Sequence, residues 1–241
     1  MNILIIDTAT EACSVALEVN EQVFSRFEVC PQQHSQRILP MIDEVLKEAK
    51  VTLQDLDYLA FGRGPGSFTG VRIATGVLQG LALGTGHKVV GISTLAAMAQ
   101  QAYTQHQTVQ VTAAIDARMS EVYFGQYHLE NNVMTLVGVE QVLPPEQGAE
   151  ILKHNAEVAG VGTGWQAYPQ LGAAAKVNVL ADILYPNALY MLCLLYTFDV
   201  ADEEENVDFG GLRTSSKKTT EPTQNHNTHT KQTRENTDST I

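Results

Sequence analysis

The stretch Gly62-Arg-Gly-Pro-Gly-Ser-Phe-Thr-Gly70, followed by Val71, Arg72 and Ile73, concentrates residues that could do chemistry. Gly64, Pro65, Gly66, Ser67, Phe68, Thr69 and Gly70 lead into a helical pattern, so backbone N–H groups of the loop lie at the positive end of a helix. Such a place suits an anion. It is not a Walker A loop, which needs a lysine beside the final Ser or Thr, and a structural tight turn accounts for the glycines equally well. Two acids, Asp7 and Asp116, each end an apolar run (Ile3 to Ile6, Val111 to Ile115) and could face a magnesium-bound phosphate. Gly160-Val-Gly162-Thr-Gly164 is a short glycine run of the kind that borders an adenosine. No Gly-x-Ser-x-Gly elbow is present, and Ser67 has no evident His and Asp companions. His34 and His87 lie far apart, so the paired histidines of a metal site are missing, and His34 reads as a capping or core residue. The residues therefore name no catalytic group and no metal ligand. Weak ATP or ADP binding at Asp7, Thr8, Asp116, Gly160 and Gly162 is the furthest cofactor inference, in a cleft that has lost its lysine and base.

These residues need elements to hold them, and the pattern of elements repeats. Met1 to Val19 and Val111 to Tyr127 each read as a buried strand ending in Ile-Asp, a polar turn and an alternating strand that pairs back as a hairpin. A third strand follows each (22–29, 135–142), then a helix. The repeat predicts an α/β protein of two related lobes, 1–108 and 109–191, each a mixed sheet with helices. This is the plan of the actin, Hsp70 and sugar-kinase superfamily, a ribonuclease H-like lobe used twice, with nucleotide held between the lobes.

Residues 35–50 form an amphipathic helix with Ile38, Leu39, Ile42, Val45, Leu46 and Ala49 on one side. Residues 69–85 form another, in which Gly76, Gly80 and Gly84 fall four apart. An interior helical glycine costs about 1 kcal/mol relative to alanine, so three on one face call for close approach of another backbone. That face is the candidate partner surface.

Composition narrows the class. Hydrophobic residues make up 44% and charged residues 17% of 241 positions, the balance of a globular chain. No apolar run is long enough to span a bilayer, and Met1 to Asp7 lacks the features of a secretory signal. Cys13, Cys30 and Cys193 form no CxxC pair and read as reduced thiols of a cytoplasmic protein. The net charge of −12 argues against direct grip on nucleic acid, which needs clustered Lys and Arg. From Leu192 the character changes to acidic and then to Thr, Asn, Gln and Lys. Residues 192–241 read as an aberrant, disordered tail; Cys193 to Asp202 resembles translated sequencing-adapter read-through.

Taken in order, Ile5-Ile6-Asp7-Thr8, His34-Ser35 with Leu39-Pro40, Gly64-Pro-Gly-Ser-Phe-Thr-Gly70 with Arg72, Ile115-Asp-Ala-Arg118 with Glu121-Val-Tyr123, and Tyr185-Pro186 with Ala188 and Met191 resemble the TsaB (YeaZ) family. The resemblance covers residues 1 to about 191; the family's closing segment with its Tyr-Leu-Arg motif is absent. It implies a non-catalytic subunit of the machinery that makes N6-threonylcarbamoyladenosine in tRNAs reading codons that begin with adenine. The paralogue TsaD carries the metal and the transfer, TsaE supplies an ATPase, and tRNA is met only through the complex. It further implies docking on TsaD through the two helices after the first hairpin, with His34, Leu39, Ile42, Leu46, Arg72, Ile73, Gly76, Val77 and Gly80 as the surface, and a homodimer through an overlapping face. Two alternatives stay open: an ATP-dependent small-molecule kinase or phosphatase of the same superfamily, and a peptidase.

Overall fold

A computed structural model describes residues 1–153, 157–172 and 176–196. The tail from 197 onward, with its expected disorder, lies outside the described residues.

The first sheet contains β1 (Ile3–Asp7), β2 (Ala12–Val19), β3 (Gln22–Val29), β4 (Tyr58–Gly64) and β5 (Lys88–Ser93) in the order β3-β2-β1-β4-β5. The second contains β6 (Gln110–Arg118), β7 (Glu121–Glu130), β8 (Val133–Leu143), β9 (Val158–Val161) and β10 (Val177–Val179) in the order β10-β9-β6-β7-β8. Read from its other edge, the second sheet repeats the first strand for strand. In both, the first three strands form an antiparallel meander and the last two add in parallel. The tight turns repeat too. Asn20-Glu21 and Asn131-Asn132 each place two successive residues at positive φ, the backbone that two-residue hairpins favour and asparagine tolerates.

Helices fill the same slots in both halves. α1 (His34–Ala49) and α2 (Phe68–Thr85) follow β3 and β4; α4 (Pro145–Leu152) and the single turn α5 (Gly164–Ala167) follow β8 and β9. α3 (Thr94–His106) closes the first half and α6 (Ala188–Leu195) the second. α1 ends in a left-handed Lys50, where the predicted helix stops within a residue.

The continuous apolar run of β1 has a physical cause: both of its faces are covered. Leu4 and Ile6 pack with Ile38, Met41, Ile42 and Val45 of α1 and with Ala74 and Leu78 of α2. Ile3 and Ile5 pack with Ala188, Met191, Leu192, Leu194 and Leu195 of α6, and with Ala97 of α3. In the second sheet, Val111, Ala113 and Ile115 meet Leu95, Met98, Ala99 and Ala102 of α3. Its opposite face, with Ala114 and Phe124, meets Leu152, Trp165 and Leu171.

The closing helices therefore cross over. α3 belongs by sequence to residues 1–108 yet builds the core of the second sheet, and α6, from the second half, covers the first sheet. The boundary drawn at Leu192 falls inside α6. Leu192, Leu194 and Leu195 are buried because Ala-Leu-Tyr-Met-Leu-Cys-Leu-Leu is apolar nearly all round and has the first sheet on one side and α3 on another.

Candidate functional site

A cleft of about 730 Å³ opens between the Asp-tipped turns of the two sheets. Its walls come from the β1–β2 turn (Ala9, Thr10, Glu11), the lead-in to α1 with His34, the start of α2 (Gly66, Ser67, Phe68), the β6–β7 turn (Asp116 to Arg118), and Thr163 with the exposed side of α5.

The two acids do not share it. Asp7 is fully buried. Its Oδ1 accepts the N–H of Ala9 at 3.1 Å, its Oδ2 lies 3.5 Å from the Thr94 hydroxyl, and Gly62 sits directly behind it. Burial raises its pKa to about 7, against the weaker opposing pull of Ala9 and Thr94. Thr8 is buried as well, its hydroxyl donating to the carbonyl of Gly70 at 2.7 Å. Asp7 and Thr8, expected to face a nucleotide, thus lie buried behind the cleft wall. Asp116 does line the cleft; its Oδ1 accepts from the N–H of Arg118 at 2.9 Å and the hydroxyl of Tyr168 at 3.0 Å. The bond from residue i+2 to the Asp Oδ1 is the same in both turns, so each acid first of all ties its own hairpin. Arg118, at positive φ, bridges the halves, reaching Glu11 at 3.4 Å and Asp116 at 3.5 Å.

The glycines expected to border an adenosine are tightly packed. A Cβ on Gly160 would meet the Trp165 ring at 2.7 Å, and one on Gly162, at φ +101°, the carbonyl oxygen of Ala114 at 2.3 Å. Trp165 donates its Nε1–H to Val161 O and is core.

The signature loop has a job that its glycines explain. A Cβ on Gly62 would fall 1.7 Å from Asp7 Oδ2, one on Gly66 2.3 Å from Ala9 O, and one on Gly70 2.0 Å from Thr8 O. Ser67 N–H donates to Ala9 O at 2.7 Å, and Ser67 Oγ caps α2 by accepting Gly70 N–H at 3.3 Å. The loop is a backbone clamp on the first hairpin; Gly64 takes φ +93° and the Gly64–Pro65 peptide is cis. Only its far edge, Gly66 to Phe68, reaches the cleft. A nucleophilic role for Ser67 finds no partner base.

The residues expected on a partner surface separate into two groups. Leu39, Arg72, Gly76 and Gly80 are exposed. Leu46, Ile73 and Val77 lean half-buried onto the core. Ile42, 3% exposed, packs in the core beneath α1, and His34, 8% exposed, lines the cleft wall. Along α2 the exposed line runs Phe68, Arg72, Gly76, Gly80 and Leu83, with Phe68 at 72% and Leu83 at 90% exposure. Arg72 stacks over the Phe68 ring at 3.3 Å. Cβ atoms placed on Gly76, Gly80 and Gly84 would meet nothing within 4 Å. The glycines therefore meet no packing partner among the described residues.

Sequence reasoning missed the Arg118 bridge, Tyr168 beneath Asp116, and a hydrogen-bonded cluster at the start of α3. There Glu140 accepts hydrogen bonds from the hydroxyls of Tyr127, at 2.5 Å, and Ser93. No spacing rule links positions 93, 127 and 140; only the crossing of α3 between the sheets unites them. No group of three or more potential metal ligands occurs among the described residues, and no described helix is long and apolar enough to cross a membrane.

A family model described as "TsaD: tRNA N6-adenosine threonylcarbamoyltransferase" matches residues 23–205. The chain is 50% identical over 196 residues to the tRNA threonylcarbamoyladenosine biosynthesis protein TsaB of Escherichia coli strain K12, covering 80% of this chain and 84% of that one. It is 48% identical over 201 residues to the protein of the same name from Haemophilus influenzae, with the same coverage. A crystal structure from Pseudomonas aeruginosa, of an uncharacterized protein with similarity to peptidase YEAZ, superposes with a TM-score of 0.76 at 46% identity, covering 81% of this chain and 90% of that one.

Proposed function

Since the chain belongs to the TsaB (YeaZ) family, we propose that it acts in tRNA threonylcarbamoyladenosine biosynthesis as a non-catalytic subunit that binds and activates TsaD. The observation that carries this is the exposed line on α2. Three glycines four residues apart weaken a helix by about 1 kcal/mol each and meet nothing within 4 Å among the described residues. Their flatness is useful to a second helix that must approach closely, and Phe68 and Leu83 at the two ends supply apolar contact. A second copy of the chain would use the same face, so homodimer and complex with TsaD compete.

The cleft favours this account over the kinase or phosphatase alternative. Of the two acids that would hold a metal-bound nucleotide, Asp7 is sealed behind Gly62, and only Asp116 meets the cleft. The peptidase alternative has no support at Ser67, whose hydroxyl caps a helix. Reconstitution tests the proposal: threonylcarbamoyladenosine formation by TsaD and TsaE on tRNA should require this chain. It should survive Asp116→Asn and fail with Gly80→Trp. Activity that needs Asp116 but tolerates Gly80→Trp would reverse the assignment.

A further inference from the structure

The β7–β8 ladder loses its register partway along. Between the pairs Phe124–Gln141 and Gln126–Val137, β7 advances two residues and β8 four. The β2–β3 ladder, its counterpart in the first sheet, runs from Ala12–Val29 to Val19–Gln22 without such an excess. The extra residues of β8 begin at Gly138, at φ +78°, and a bulge of this kind bends a strand and re-aims its side chains. The side chain re-aimed here is Glu140. Gly125, opposite, leaves the Tyr127 ring room to follow it: a Cβ there would stand 3.0 Å from the ring and 3.1 Å from its hydroxyl.

What the bulge reaches is the other lobe. One Glu140 carboxylate oxygen accepts the Tyr127 hydroxyl, from its own sheet, and the Ser93 hydroxyl, from the end of β5 in the first sheet. Ser93 also caps α3, accepting Ala96 N–H at 3.2 Å. The hydroxyl of the next residue, Thr94, lies 3.5 Å from Asp7 of β1. The chain leaves the first sheet for α3 at Ser93 and Thr94, and the two are tied to different sheets. Any turning of one lobe against the other has to pass through this junction. A second tie runs behind it, where Gln105 of α3 donates to the Tyr190 hydroxyl of α6 at 2.7 Å. A third crosses the cleft mouth, where Arg118 reaches Glu11 at 3.4 Å. That pair is exposed and contributes little, whereas hydroxyls held on a carboxylate are among the stronger hydrogen bonds, and those of Ser93 and Tyr127 belong to buried residues.

We propose that Glu140 is a pin that holds the two lobes at one angle, so that the cleft keeps a fixed width. An enzyme that closes over its substrate needs a free hinge; here the hinge is fastened. The pin is independent of docking on TsaD, because α1 and α2 both pack on the first sheet.

Distances between two spin labels test it. The full chain carries Cys193→Ser, which removes an exposed thiol, and is labelled at Gln33→Cys, between the cleft-lining Gln32 and His34, and at Gln166→Cys across the cleft. A single narrow distance distribution is expected for this parent. Glu140→Ala and, from the other lobe, Ser93→Ala should widen it about twofold or more, or add a second distance. Glu140→Gln, which keeps an acceptor, and Tyr127→Phe, which cuts only the bond within the second sheet, should retain the parent's width. If Glu140→Ala fails to fold, Ser93→Ala carries the same prediction. A broad distribution in the parent overturns the proposal. So does a parent-like width in folded Glu140→Ala or Ser93→Ala, or a Tyr127→Phe chain that widens as much as Glu140→Ala.

Discussion

The hydroxyl of Ser14, on β2, accepts the N–H of Ala188 at 3.0 Å and so anchors the first turn of α6 to the first sheet. The two residues are separated by 174 positions, and both are buried. Through this bond the last described helix becomes part of the first lobe's core.

It follows that the stability of the first sheet depends on α6. Met191 is fully buried, and its methyl packs close to Gly62 behind Asp7. Met191→Ala should destabilise the chain by about 2–5 kcal/mol, the usual range for a large-to-small core change. Chemical denaturation measures it; a loss below about 1 kcal/mol would mean that α6 contributes little to the fold.

Asp7 sets a pH dependence. Burial lifts its pKa from 3.8 to about 7, so between those values the folded chain keeps a proton that the unfolded chain has released. Stability from this residue is full below about pH 4 and is lost as the pH rises toward 7. At about 1.4 kcal/mol per unit, the loss is roughly 4 kcal/mol. Asp7→Asn keeps an acceptor for Ala9 N–H and cannot ionise. The difference in unfolding free energy between variant and parent should therefore grow in the variant's favour across this window. Parallel curves would show that Asp7 is ionised in the fold.

Glu140 holds two buried hydroxyls, Ser93 and Tyr127, at one oxygen. Glu140→Ala should cost about 1–3 kcal/mol for each hydroxyl left unpaired. Glu140→Gln, with one acceptor retained, should cost less. Thermal unfolding of the pair of variants distinguishes a hydrogen-bonding strut from simple packing, which would treat them alike.

Much of the architecture was legible because the sequence repeats itself. Ile-Asp at residues 6–7 and 115–116 and the strands after them carry a period of two, and the helices carry 3.6, so α1 appeared within a residue of its observed ends and α2, read by pattern as 70–83, within two. The exchange of α3 and α6 was not legible. The sequence reading ended the second lobe at 191, so neither the burial of Leu192 and Leu195 nor the sheet that receives them was foreseen. The same gap affected the site. Asp7 and Asp116 look alike in sequence and make the same turn bond, yet Met191 and Gly62 close over one of them. His34 read as a capping or core residue from the sequence and as partner surface from the family resemblance; in the structure it is buried and lines the cleft wall. The glycines of α2 could be recognised as costly from sequence alone, whereas the emptiness above them required coordinates.

That emptiness bears directly on the central claim. Because nothing lies within 4 Å of a Cβ on Gly80, Gly80→Trp should leave the monomer folded while obstructing any helix that packs there. Light scattering on size-exclusion fractions of the chain mixed with a bacterial TsaD measures both properties at once. The account predicts a stable mixed complex for the parent, and for Gly80→Trp a folded, monodisperse protein that elutes apart from TsaD. A Gly80→Trp chain that still co-elutes with TsaD as tightly as the parent would contradict it.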